Sequence, residues 1–297
     1  MALPDDGRMD LADTVTIGNA ISAMISPAFK QAAICLNLVH AETCPDNTNV
    51  IKFRKSGSLV AEAVAEGAVY LPTDANSDIN DTSVTATATK VMVSSPISRE
   101  AQRFGAGAAA FPRVAAEQGR ALGRKFDADF LALISSLTNN VTASTTLDTD
   151  SLLTAQYNIY NSLTPPGPLV ALLHFKGVLE LQKLVVNAGA AVWTNAYSLP
   201  LVSGVPAANN FKGNFLGIDV YQTTGFGTTG GDNIQVVFNP EYAFCAALGG
   251  SVQTEIYYTG NGVASQVPGV SDVVQSYMFY DVKIYNDTAA CKLRSDS

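Results

Sequence analysis

Charged side chains are scarce in this chain of 297 residues: 15% are Asp, Glu, Lys or Arg, against roughly a quarter in ordinary globular proteins. The surface must then be rich in Thr, Ser, Asn, Gln and Ala, a composition suited to lying against other subunits. Positive charge is the scarcer sign. Eighteen Lys and Arg face 26 Asp and Glu, a net charge of −8, and no basic block exceeds two residues, as at Arg124-Lys125. This excludes the electrostatic footprint of a protein that grips phosphate backbones. Histidine occurs twice, at His40 and His174, and the four cysteines (Cys35, Cys44, Cys245, Cys291) have no C-x-x-C spacing. A zinc framework is therefore excluded, and reduced thiols are expected. No window approaches the ~20 consecutive apolar residues of a spanning helix. The opening residues, with Asp5, Asp6 and Asp10, lack the basic start and apolar run of a secretory signal. A soluble product without membrane contact is expected.

What is present is enough apolar material for a core, 47% of residues, which rules out disorder of the whole chain. Residues up to about 48 read as an arm with weak helical periodicity in Ile17, Ile21, Met24 and Ile25, stopped by Pro27. A short strand, Val50 to Arg54, runs into the turn signals Ser56-Gly57-Ser58. From Leu59 to Ser83 few side chains are large, so that stretch buries little by itself and must project or lean on something else. Val84 to Val93 alternates small apolar residues with threonines and predicts one strand of about 33 Å.

The clearest element is a predicted helix over 112–137. Leu122, Phe126, Phe130, Leu133 or Ile134, and Leu137 form an apolar stripe, while Arg113, Glu117, Arg120, Arg124 and Asp127 trace a wet one. Pro112 suits its first turn, and Arg113 with Glu117 and Lys125 with Asp129 have ion-pair spacing. Gly119 and Gly123 inside a helix each cost about 1 kcal/mol, which either marks a close approach by another element or is simply tolerated. Beyond a Thr- and Asn-rich hinge at 138–146, helical patterns at 151–163 and 175–186 alternate with strand patterns at 169–174, 217–222, 234–238, 251–258 and 275–285, around a loop at 193–210. Met278, Tyr280, Val282 and Ile284 share one face of the last strand. Mixed elements without βαβ repetition argue for an α+β fold.

This order resembles the major capsid proteins of tailed bacteriophages, the Hong Kong 97 type of fold. The resemblance divides the chain into an N-terminal arm (1–49), an extended β-hairpin loop with flanking strands (50–93), a peripheral domain with the spine helix (94–139), an axial domain (140–245), and return strands of the peripheral domain with the C-terminus (246–297). Phe215-Leu216-Gly217-Ile218-Asp219-Val220 looks like the turn into an axial strand. The stretch 234–248, the strand around Glu255 and the aromatic strand 277–285 look like the family's ending. Asp281 stands where many relatives carry glycine.

Other chemistries fare worse. Asp74 to Asp81 spaces oxygen side chains like a calcium loop, but Asn80 takes the glycine position and Thr85 that of the closing glutamate, so a solvated hairpin tip is preferred. Gly105-Ala106-Gly107 follows a poor strand and lacks the third glycine of a dinucleotide site. No G-x-S-x-G elbow exists, His174 reads as a strand end, Glu62 and Glu66 lack a rigid platform, and Trp193 near Tyr197 reads as loop packing. The expectation is a structural protein with no catalytic, cofactor or metal residue.

The resemblance implies a subunit that assembles as hexamers and pentamers of an icosahedral head around double-stranded DNA, in the virion, built in the host bacterial cytoplasm. It further implies a portal, a possible cement protein, and DNA enclosed without sequence-specific binding. Only about 50 residues precede the loop, so a separate scaffolding protein, or none, is expected. No lysine lies between Ser56 and Thr89, so lysine cross-links there are not expected. An encapsulin-like compartment shell is the alternative, and a monomeric surface-binding module the third reading.

Overall fold

The computed structural model describes residues 25–30, 32–55, 82–98, 107–142, 146–162, 167–188, 193–194, 210–223, 225–226, 228–229, 232–258 and 271–296. The stretches 56–81, 99–106 and 195–209, and with them the tip Asp74 to Asp81, Glu62, Glu66, Gly105, Ala106 and Tyr197, lie outside these.

In chain order the elements begin with a helical segment at 25–30, a 3-10 turn at Cys35–Leu38, and the strands β1 (His40–Thr43), β2 (Val50–Lys55), β3 (Thr82–Thr87) and β4 (Thr89–Ser98). Helix α1 (Gly107–Ile134), β5 (Asn140–Thr142), α2 (Thr149–Ser162), β6 (Leu169–His174), α3 (Phe175–Ala188) and β7 (Trp193–Thr194) follow. The remainder is β8 (Phe211–Phe215), β9 (Ile218–Thr223), β10 (Thr228–Thr229), β11 (Asp232–Phe238), β12 (Phe244–Leu248), β13 (Gln253–Tyr258), β14 (Ser271–Ile284) and β15 (Ala290–Asp296).

Two large sheets share one continuous apolar core. In the first, β14 is the central rail: β13 and β12 pair along one of its edges and β4 along the other, with β1 parallel to β12 at the rim. The second has the order β5-β15-β11-β6-β9-β8-β7, with β10 on β11. Its interior strand β6, LVALLH, is buried at every position but the last, because a strand covered on both faces needs no polar alternation. At the rim of the first sheet Pro96 is tolerated, since β4 has β14 on one side only among the described residues and a missing N–H costs little on an open edge.

Helix α1, about 42 Å long at 1.5 Å per residue, joins the two sheets. Phe126 packs on Tyr280 of β14 (5.2 Å between ring centres), and Phe130 sits between Phe244 of β12 (4.7 Å) and Phe238 of β11 (5.9 Å). The chain passes from one sheet to the other between those last two residues. Asn239 makes the corner: its Oδ1 accepts from the N–H groups of Glu241 and Tyr242, and its carbonyl from Ala243 N–H.

Four expectations need correction. The helix starts at Gly107, so Pro112 is its sixth residue and not in its first turn; the apolar pattern carried no start signal that early. The single strand expected over 84–93 is two strands, broken at Ala88, where the chain leaves β2 and pairs with β14. Because the small/Thr alternation runs unchanged through Ala86, Thr87, Ala88 and Thr89, the change of partner left no trace in the sequence. Asp127 is buried, at 8% exposure, and not on the wet stripe. Lastly, the expected strands end at 285, yet a further strand, β15, follows and lies inside the second sheet between β5 and β11.

Candidate assembly surfaces

The body of the subunit is fixed by α1 and by what seats on it. Residues 25–30, 32 and 33 lie against the helix at its two glycines. A Cβ on Gly119 would fall 2.7 Å from the Ile25 carbonyl oxygen, and one on Gly123 2.7 Å from Ala32 Cβ and 2.9 Å from Ala33 N. The glycines are thus the place where two backbones touch, which outweighs their helix penalty. One turn further on, the Asp127 carboxylate accepts from Ile34 N–H and Cys35 N–H, both at 3.0 Å. Burial pushes its pKa above the ordinary carboxylate value, against the pull of those two N–H groups. Phe29 meets Phe126 edge to face, 6.5 Å between centres.

Polar side chains bolt the helix to the sheets. Buried Gln118 donates to the Val274 carbonyl (2.9 Å) and accepts from Ser276 Oγ (2.5 Å); Tyr280 OH donates to Asp129 (2.7 Å). At the C-terminal end Lys292, 5% exposed, donates Nζ to the carbonyls of Ser135 (2.9 Å) and Leu137 (3.0 Å), supplying a cation and donors where the helix leaves acceptors open. On the outer face Lys125 pairs with Asp129 at 2.6 Å as the spacing predicts, whereas Glu117 pairs with Arg120 (2.6 Å) and approaches Arg124 (3.9 Å).

The hairpin base, β2 with β3, stands apart as a sheet of its own. Under it is a separate small core of Ile51, Phe53, Ala86, Cys245 and Ala247. The alternation of β12 explains this division, because Phe244 and Ala246 face the main core while Cys245 and Ala247 face the hairpin. Tyr285 OH donates to the Arg54 carbonyl at 2.7 Å, and Lys55 Nζ lies 5.5 Å from the Tyr285 ring centre.

The remaining outward apolar surface is concentrated on α2 and α3. Leu153, Tyr157 and Tyr160 follow one another at helical spacing on α2, as do Phe175 and Leu179 on α3, all exposed. Their opposite faces, including Leu152, Ala155 and Ile159 on α2 and Val178 and Leu181 on α3, are in the core.

Against these surfaces the enzymatic candidates are thin. His40, on β1, bonds Glu42 at 3.0 Å beside a groove of about 550 Å³ shared with Lys52, Arg54, Tyr242 and Tyr285. That is a surface charge network without a nucleophile held by a base. His174 Nδ1 accepts from Lys176 N–H at 3.3 Å, a cap on the start of α3. Trp193 lies in β7, opposite Phe215, and Gly107 opens α1. All four cysteines are free; burial holds Cys245 up to about 12 and Cys291 up to about 11, far from a thiolate at neutral pH. Among the described residues no three His, Cys, Asp or Glu side chains gather as metal ligands, and no helix is long and apolar enough to cross a membrane.

Sequence reasoning missed Asp127, Lys292 and Gln118. Asp127 keeps the rhythm of the wet stripe, and the partners of the other two are more than 150 residues away in sequence, so no local signal marks them.

Comparison with known proteins agrees with this architecture. A family model described as phage capsid protein matches residues 73–293. Among solved structures the chain is similar to one from Mycobacterium phage Che8 (17% identity, 88% of this chain and 90% of the other, TM-score 0.61) and to the capsid of the cyanophage P-SCSP1u (14%, 90% and 89%, 0.62). It is also similar to the SrpI encapsulin of Synechococcus elongatus PCC 7942 (7%, 92% and 89%, 0.61). No curated protein matches by sequence. The chain belongs to the phage capsid protein family, with the α+β fold of the Hong Kong 97 type. Its role is that of a structural major capsid protein, a subunit of the multimeric shell of a virion.

Proposed function

We propose that this subunit assembles as hexamers and pentamers of an icosahedral head enclosing double-stranded DNA, and that the hairpin carried by β2 and β3 reaches over a neighbour. The observation that carries this reading is the separation of the two cores: the hairpin base has its own small seat and contributes little to the body. In this reading residues 1–49 are the arm, 50–93 the extended loop, 94–139 the spine region, 140–245 the axial domain and 246–297 the return strands with the C-terminus. The exposed stripes of α2 and α3 then meet other axial domains around the ring axes. Many modest contacts of this kind add into a stable closed surface. The chain works by contact and not by catalysis.

With −8 charges per copy the shell does not attract DNA by net charge, so a portal and an ATP-consuming motor must drive it in, after shells form in the host cytoplasm with a separate scaffolding protein. The absence of lysine cross-links completes the reading, which leaves room for a cement protein without requiring one. Removal of Ser58 to Ser83 tests it: a folded subunit that sediments as a small species is expected, and normal particles from that variant overturn the role of the loop. The similarity to an encapsulin favours a compartment shell as the second reading. Particle contents separate the two, since packaged DNA supports a head and captured protein cargo supports a compartment.

A further inference from the structure

The ladder between β4 and β14 ends at the pair Thr89 and Tyr280. One residue earlier in the chain, Ala88 gives its N–H to the Asn49 carbonyl (2.7 Å), and Thr87 is paired with Val50 in the hairpin base. At this handover β14 offers a side chain where a strand would offer backbone. Asp281 Oδ2 accepts from Thr87 N–H at 2.9 Å, with Lys283 Nζ at 3.6 Å from the same oxygen. On its other side Asp281 stays in register with Ala247 of β12, so its backbone belongs to the sheet while its carboxylate belongs to the hairpin.

Tyr285 holds β2 through the Arg54 carbonyl and the Lys55 ammonium, but the attachments beneath the hairpin base differ in kind. Cys245 and Ala247 beneath it are small and apolar, and apolar contact is non-directional: Ile51, Phe53 and Ala86 keep most of that burial through a modest tilt. A charge-assisted hydrogen bond is short and directional, and a tilt breaks it. We propose that Asp281 is a positioning residue for assembly, which sets the angle at which β2 and β3 leave the sheet and hence the curvature at which neighbouring copies meet. Closure makes that angle matter, because the same interface repeats in every copy and a small angular error accumulates around the shell. The inference rests on the shell reading above.

The test uses the full chain with its assembly partners, comparing Asp281→Ala, Asp281→Asn and the unaltered protein by particle diameter in electron micrographs, by unfolding midpoint, and by amide exchange at Thr87. Asp281→Ala is expected to keep the unfolding midpoint, to exchange the Thr87 amide about tenfold faster through local opening, and to give shells of broadened diameter. Asp281→Asn retains an acceptor oxygen and is expected to keep the normal diameter, which also serves as the decisive variant should the alanine form fail to fold. Uniform, normal shells from Asp281→Ala overturn the proposal, as do shells from Asp281→Asn as irregular as those from Asp281→Ala. If the unaltered protein forms no shells, it is the shell reading that fails.

Discussion

The arm and the hairpin base are both attached to the body by residues remote in sequence, yet the two attachments are built differently. Where the arm meets α1, two backbone N–H groups end on one buried carboxylate, and two glycines let backbone lie on backbone. Breaking that seam leaves desolvated polar groups without partners, which is expensive. At the hairpin base the polar bonds of Thr87 to Asp281 and of Arg54 to Tyr285 are exposed, and water replaces them when they open. Residues 25–30 and 32–35 are therefore part of the cooperative core, and the hairpin base is a separable unit. In the proposed reading, where the hairpin reaches over a neighbour, a subunit that folds before it assembles gains from this division, since the hairpin adjusts without loosening the body.

That contrast is breakable by substitution. Phe130→Ala should have the largest effect, about 3–5 kcal/mol, because the ring is fully buried between Phe238 and Phe244 and joins both sheets. Urea unfolding of the subunit measures it. Next comes Gly123→Val, where the new side chain would collide with Ala32 and Ala33. A loss of about 1–3 kcal/mol is expected, with faster amide exchange at Ile34 and Cys35. Phe53→Ala sharpens the comparison. Its ring is 3% exposed, about as buried as that of Phe130, but it belongs to the small core. Its global unfolding midpoint should fall by less than half as much as that of Phe130→Ala, while shell yield collapses. Equal losses in the two variants would merge the regions into one cooperative unit.

Periodicity made the body legible. The apolar stripe through Leu122, Phe126 and Phe130, the run at 169–174 and the alternation of Met278, Tyr280 and Val282 are local statements about which side is buried, and the structure buries those residues, His174 excepted. The two glycines of α1 were legible as a question, whether something comes close there, and the arm answers it. What stayed hidden depends on partners. Nothing near Ala88 says that the strand changes neighbours, and nothing near Lys292 says that it lies under the end of a helix more than 150 residues earlier. The family order was readable because it is a sequence of element types, whereas the seams between elements are pairings of distant residues, which a single sequence does not encode locally.

The smallest predicted effect is a pH dependence of the arm seam. Burial raises the Asp127 carboxyl above the 3.8 of a free aspartate, outweighing the two N–H groups that pull it down. A group whose folded value is raised holds its proton more readily in the folded state. Its contribution is therefore fully present below about 3.8 and is lost as pH rises through the raised folded value. Other carboxylates titrate over the same range, so the comparison must be a double difference: unfolding free energy at pH 7 and at about pH 4.5, for the unaltered chain and for Asp127→Asn, which does not titrate. Asp127→Asn costs stability at both pH values, because its amide cannot accept from both N–H groups with the same oxygens. On acidification, however, the unaltered chain should gain stability relative to the variant. A relative loss on acidification would mean that the two N–H bonds dominate over burial, and that the arm is held by the charge of Asp127 and not in spite of it.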